Sequence, residues 1–150
     1  MVINGLIIFF TFIIMEFIAW ATHKFVMHGL MWYFHKDHHD HSNETFFEKN
    51  DLFFLVFAIP SWLFWMFGVM NGYDFKFYIG IGIFIYGIAY FLVHDVIIHQ
   101  RFKWFSKSSN WYVEGIKRAH KIHHKSIVKY ESQNFGMLIV PLHYFKSTSN

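Results

Sequence analysis

Residues 2–22, VINGLIIFFTFIIMEFIAWAT, hold a single charged side chain, Glu16. At 1.5 Å of rise per residue, about 20 such residues cross a hydrocarbon core of about 30 Å, and in that medium a helix satisfies its own backbone polar groups. The run is therefore expected to be a membrane-spanning helix. A cleaved signal peptide is the rival reading, since Ala19-Trp20-Ala21 has the small-x-small form. It is set aside because no Lys or Arg precedes residue 24 and the apolar stretch is too long for a leader.

Two further apolar runs follow at 52–70 and 77–93, joined by the short turn NGYDFK. That connection has room only for the tip of a helical hairpin. The chain is 55% hydrophobic and 15% charged, more apolar surface than a soluble core of 150 residues buries. The expected fold is an all-α integral membrane helical bundle: one embedded domain over residues 1–150, three transmembrane helices and a histidine-rich helical cap. Pro60 is expected to kink the second span, and Gly80, Gly82 and Gly87 to permit close helix contact. The last apolar run, FGMLIVPLHYF at 135–145, is too short to cross and contains Pro141. It is expected to pack against the histidine-rich site or to lie at the interface.

Orientation comes from charge. Residues 100–150 carry nine Lys and Arg against Glu114 and Glu131, whereas the hairpin tip offers only Asp74 and Lys76. The positive-inside rule puts the cap on the cytoplasmic face of the inner membrane and the N-terminus outside. A basic tail in a membrane protein marks the inner leaflet, so no nucleic-acid partner is expected.

The hairpin also returns residue 94 to the membrane face that residue 51 left, and this brings two similar phrases to one side. His23 and His28 precede His35, His38 and His39; His94 and His99 precede His120, His123 and His124. On a helix advancing about 100° per residue, His35, His38 and His39 fall within an arc of about 100°, as do His120, His123 and His124, so each triplet is expected to converge on one point. His28 joins the first stripe if the helix runs through Gly29. The pairs five apart diverge by about 140° on a regular helix, which implies a helix end, a π-bulge or two different metals. An expression tag or loose metal-scavenging tract would not repeat one spacing at the ends of spans. His41 and His143 lie outside the pattern and are read as ordinary residues.

Ten imidazoles exceed one ion's capacity and favour two metals. With no cysteine in the chain there is no thiolate site, and all-nitrogen ligation suits Fe, Cu, Ni or Zn over Mg or Ca. Glu16, on the face of His23, either orients that ligand or holds the bundle together, and Asp95 beside His94 has the same two readings.

The stretches MEFIAWATHKFVMHG, HKDHH, FEKNDLFFLVFA, YFLVHDVIIHQR, AHKIHH and NFGMLIVP, in this order, resemble the bacterial beta-carotene hydroxylases of the membrane fatty acid hydroxylase superfamily. The likeness runs from about residue 10 to residue 141. It implies a non-haem di-iron monooxygenase acting with O2 on a carotenoid, hydroxylating carbon 3 of its beta-ionone rings, with all ten patterned histidines as iron ligands. The departures are a short tail after Pro141, the additional His41, and three spans where four are often drawn. Reducing equivalents must come from another protein, such as a ferredoxin, because the chain has no Gly-rich nucleotide fingerprint and no Cys for an iron-sulfur cluster. Arg118, Lys121 and Lys125 are expected to point away from the His face and to meet an acidic donor or anionic lipid. The neighbouring alternative is a hydroxylase or desaturase of fatty acyl, sphingoid or sterol chains with similar His boxes. A His-rich metal carrier ranks behind both, since its spans would hold ionisable groups that 52–70 and 77–93 lack.

The orientation is checked by single cysteines in this cysteine-free chain. In intact cells a membrane-impermeant thiol reagent should modify Gly72→Cys and leave Ser126→Cys untouched. Modification of Ser126→Cys alone would invert the topology.

Overall fold

The computed structural model describes residues 1–40, 46–102, 104, 108 and 110–146, and among them the regular structure is wholly helical. Helix α1 (Val2–Ala21) passes into a wider-turned segment, Thr22–Leu30. A break follows at Gly29 (φ −106°, ψ −107°), and then α2 (Trp32–His39). A 3₁₀ turn at Lys49–Leu52 leads into α3 (Phe53–Met70), which continues through Pro60. Helix α4 (Phe75–Phe91) ends in a second wide-turned segment, Leu92–Ile98. Helix α5 (Trp111–His123) and a 3₁₀ turn at Leu142–Phe145 are the last elements among the described residues.

Three helical stretches, Val2–Leu30, Lys49–Met70 and Phe75–Ile98, are long and apolar enough to cross a membrane. No more than 28% of the most apolar window of any of them is buried within the protein. Side chains such as Phe9, Phe17, Phe54, Trp62 and Phe84 point outward, a surface suited to lipid tails and costly in water.

The hairpin tip is tight for identifiable reasons. Gly72 (φ 74°) and Tyr73 (φ 63°) take left-handed backbone, and the Tyr73 N–H caps the end of α3 at the Gly68 carbonyl (2.8 Å). The Asp74 side chain then accepts from the Lys76 N–H (3.0 Å) to start α4. Helix α4 lies between α3 and α1. Gly80 faces the backbone of Ser61 and Trp65, Gly82 faces Ile8 and Thr11, and Gly68 faces Phe77. The Ser61 hydroxyl donates to the Gly80 carbonyl (2.9 Å), a bond that the close approach makes possible. Gly87 departs from expectation: its missing side chain faces open space and has no part in the contact.

Met15, Ala19, Ile83 and Tyr86 form a core between α1 and α4. Ile116, Ala119, Val140 and Tyr144 form another, which fastens α5 to the C-terminal segment. The histidine-bearing elements meet between them.

A Cβ at Gly80 would lie 2.6 Å from the Trp65 nitrogen and 2.9 Å from the Ser61 oxygen, both backbone atoms with little freedom to move. Gly80→Val should therefore lower stability by at least the usual overpacking cost of about 1–3 kcal/mol. Gly87→Ala should unfold at or slightly above the parent temperature, because Ala is the better helix former by about 0.5–1 kcal/mol. Thermal unfolding in detergent checks the pair, and equal effects would contradict the packing described.

Candidate metal centre

Each wide-turned segment resolves a pair that a regular helix would splay. The His99 N–H bonds to the His94 carbonyl (2.9 Å) and the Met31 N–H to the Val26 carbonyl (2.8 Å), both five residues back. The widened turn lowers the rotation per residue, so side chains five apart return to one face. The rings of His23 and His28 lie 5.3 Å apart, and those of His94 and His99 4.4 Å apart. Of the three possibilities the spacing left open, the π-bulge is the one present. The helix does not run through Gly29, yet His28 still arrives, because it sits on the first bulge rather than on α2.

The triplets do not converge on single points. Nine of the ten patterned histidines gather in two groups whose candidate ligand atoms lie within 4.8 Å of one another: His23, His28, His35, His39 and His123, then His38, His94, His99 and His120. The arc within each triplet is wide enough to straddle two neighbouring positions. Thus α2 sends His35 and His39 to the first group and His38 to the second, while α5 sends His123 to the first and His120 to the second. His124 sits beside the second group, its ring 4.5 Å from His120, 4.7 Å from His38 and 5.0 Å from His99, and it also stacks on His39 at 4.4 Å. Each half of the chain builds one group and lends a histidine to the other. His143 is exposed and outside both groups, and His41 lies outside the described residues.

The outer nitrogens fix the chemistry of the inner ones. In the first group the Nδ1–H of His23 donates to the Phe135 carbonyl (3.2 Å), that of His28 to Lys129 (3.1 Å) and that of His39 to Ser126 (3.0 Å). His123 donates to the Gln133 carbonyl (3.1 Å) and His35 to the Asn50 side-chain oxygen (2.6 Å). A carbonyl only accepts, so Nδ1 carries the proton and, in the neutral ring, Nε2 carries the lone pair. Those Nε2 atoms face one another: His23 to His35 at 3.2 Å, His28 to His123 at 3.2 Å and His39 to His35 at 3.3 Å. The second group repeats this, with His38 to His94 at 3.1 Å and His99 to His120 at 2.9 Å.

Protonation does not relieve the crowding. Burial pushes the His35 imidazole down to about 2 and the His123 imidazole to about 3, and drives His38 and His120 well below their ordinary value. Where both Nδ1 atoms donate outward, the facing lone pairs of neutral rings repel, and a shared cation would relieve them. A first-row metal bonds imidazole at about 2.1 Å, which sets adjacent ligand nitrogens about 3 Å apart at right angles, so both groups fit such an ion.

Several supporting residues escaped the sequence reading. The irregular stretch 124–140 crosses the site as a strap and supplies four of the five acceptors of the first group. It is anchored by Glu16, whose Oε1 accepts the N–H groups of Met137 (3.1 Å), Leu138 (2.9 Å) and Ile139 (2.9 Å), and whose Oε2 accepts the Tyr86 hydroxyl (2.8 Å). Glu16 thus acts as bundle glue, one step removed from His23. The 135–145 run packs against the site, as one of its two expected placements had it. On the other side His38 donates to Glu48 (2.6 Å), and His94 lies 3.3 Å from Asp95. Arg101 ties Glu48 (3.0 Å), Asp51 (2.8 Å) and Asp95 (3.3 Å) together.

Lys121 is exposed and borders two clefts. With Lys117 it lines a cleft of about 260 Å³ whose other walls are Ile98, His99, His120 and His124. An adjoining cleft of about 490 Å³ is edged by Arg118, Lys121, Lys125, His143 and Lys146. Arg118 spends its Nε–H on the Tyr144 carbonyl (2.9 Å).

Comparison with known proteins covers nearly the whole chain. The profile of the fatty acid hydroxylase family matches residues 8–148. A protein of Pantoea ananas named beta-carotene hydroxylase is 38% identical over 92% of this chain and 78% of its own length. One of the same name from Pseudescherichia vulneris is 36% identical over 92% and 77%. A chloroplastic beta-carotene 3-hydroxylase of Haematococcus lacustris is 35% identical over 85% of this chain and 40% of its own. No solved structure matches.

The lowered histidine values carry a pH signature. A group whose folded value lies below its unfolded value of about 6.5 binds fewer protons when folded, so its contribution is full above that pH and is lost as pH falls toward the folded value. Metal-free protein in detergent should lose thermal stability steadily from about pH 7 to about pH 5, before most carboxylates titrate. An unfolding temperature that stays flat over that interval would contradict neutral, buried imidazoles.

Proposed function

The chain belongs to the fatty acid hydroxylase family, and from that premise we propose that it is a membrane-bound non-haem di-iron monooxygenase acting on carotenoids. It hydroxylates carbon 3 of beta-ionone rings, taking beta-carotene through beta-cryptoxanthin to zeaxanthin. The observation that carries the metal half of this reading is the pair of histidine groups in which Nε2 atoms face each other at 2.9–3.3 Å. The substrate half rests on the named relatives.

His23, His28, His35, His39 and His123 would hold one iron; His38, His94, His99 and His120, with His124 beside them, would hold the other. When bound, the irons supply O2 activation and the oxidising capacity for a carbon–hydrogen bond. The chain's own residues do the rest. Nδ1 acceptors keep the five rings of the first group and His38 in the tautomer that offers Nε2 inward, and the Phe135 and Trp32 rings wall the first group with apolar surface that excludes water. The three spans place this cap at the end of a lipid-facing bundle, where a bilayer-dissolved polyene can present one ring end at a time.

One oxygen atom enters the new C–O bond and the other leaves as water, which takes two electrons from a donor and two protons from solvent. The cationic rim of Lys117 and Lys121 around the cleft to His99 and His120 suits an acidic carrier such as a ferredoxin. Residues 1–150 act as a single domain in the inner membrane, with the cap on the cytoplasmic side.

In a host that accumulates beta-carotene, the expressed chain should give beta-cryptoxanthin first and zeaxanthin later, with oxygen derived from O2. His39→Ala and His123→Ala should abolish both products, whereas His41→Ala should leave them unchanged. Pigment chromatography with labelled oxygen checks this. Unchanged beta-carotene alongside newly hydroxylated acyl chains would reject the carotenoid and favour a lipid-chain hydroxylase.

A further inference from the structure

The two histidine groups differ in what holds their outer nitrogens. All five imidazoles of the first group donate Nδ1–H to neutral oxygens, four backbone carbonyls and the Asn50 amide. In the second group His38 donates to the Glu48 carboxylate at 2.6 Å, and the His94 Nδ1 lies 3.3 Å from the Asp95 carboxylate. A carboxylate draws the Nδ1 proton toward itself and leaves more electron density on Nε2, whereas an amide oxygen does so weakly.

The local charge acts in the same direction. Three carboxylates, Glu48, Asp51 and Asp95, gather on the single guanidinium of Arg101, leaving an excess of negative charge on that side. The buried carboxylate on the other side, Glu16, is taken up by three backbone N–H groups and the Tyr86 hydroxyl. His38 and His94 are each 3% exposed, so this difference acts in a medium that screens it little.

We propose that the chain makes its two metal positions electronically unequal, with Glu48, fixed by Arg101, rendering the metal beside His38 the more easily oxidised. A more basic nitrogen donor and a more negative surrounding both stabilise the higher oxidation state. Glu48 is a positioning residue here: it acts through His38 and does not touch the metal. The inference rests on the two-iron reading above.

The test is a spectroscopic redox titration of the iron-loaded protein in detergent, with Mössbauer spectra at each poise. The parent should show two one-electron steps, one iron oxidising before the other. Glu48→Gln keeps a hydrogen-bond acceptor on His38 but removes the charge, and should raise the lower potential while leaving the upper one in place. Asn50→Asp introduces a carboxylate on His35 and should lower the upper potential, the reciprocal effect. If Glu48→Gln sheds its iron, the Asn50→Asp shift decides alone, and an unmoved upper step overturns the proposal. Two irons with one shared potential, unmoved by either substitution, would overturn this inference and leave the two-metal reading standing. A parent holding a single iron would overturn both.

Discussion

Neutral imidazoles that turn their lone pairs toward one another at about 3 Å repel, and this chain builds that situation on both sides of its cap. The rest of the structure can be understood as the means of holding it. Nδ1 acceptors hold the rings of the first group and His38 in one tautomer, burial disfavours protonation of His35, His38, His120 and His123, and a cation between the nitrogens would remove the repulsion. The strap at 124–140 is central because its carbonyls set four of the five rings in the first group. Its own position depends on Glu16, which satisfies three consecutive N–H groups from inside the first span. One carboxylate in an apolar helix therefore reaches the metal region through backbone geometry.

The membrane shapes the same region from below. Helix α4 approaches α3 closely at Gly68 and Gly80 and α1 at Gly82, and the second contact sets where α4 delivers His94 and His99 relative to α1 with His23 and His28. A bulge at the end of the first and of the third span then turns both members of a pair to one face. The exchange of His38 and His123 between the halves means that neither group is complete without the other half of the chain. Assembly of the cap thus requires the hairpin to have formed.

Much of this architecture is legible in the sequence, for physical reasons. Apolar runs of spanning length and a six-residue turn leave few alternatives, and the two histidine phrases stand out against a chain with no cysteine. What the helical wheel misplaced was the destination of each triplet. An arc of about 100° reads as one face when a single target is assumed, but two groups with rings such as His120 and His123 only 5.6 Å apart divide it. Gly87 was misjudged because composition cannot tell which face of a span meets a neighbour. The strap carbonyls had no signature at all, since every residue has one. Glu48, Asn50 and Arg101 did leave a trace: polar side chains crowded at the mouths of two apolar spans, close after histidines.

The central claim is that two separable metal positions exist, one for each histidine group. It is tested most directly by counting iron per chain in protein purified in detergent after exposure to a chelating resin. About two irons are expected in the parent and about one in each of two paired variants, His35→Ala with His39→Ala and His94→Ala with His99→Ala, with different spectra for the iron that remains. A parent that binds one iron, or paired variants that both lose all metal, would contradict it.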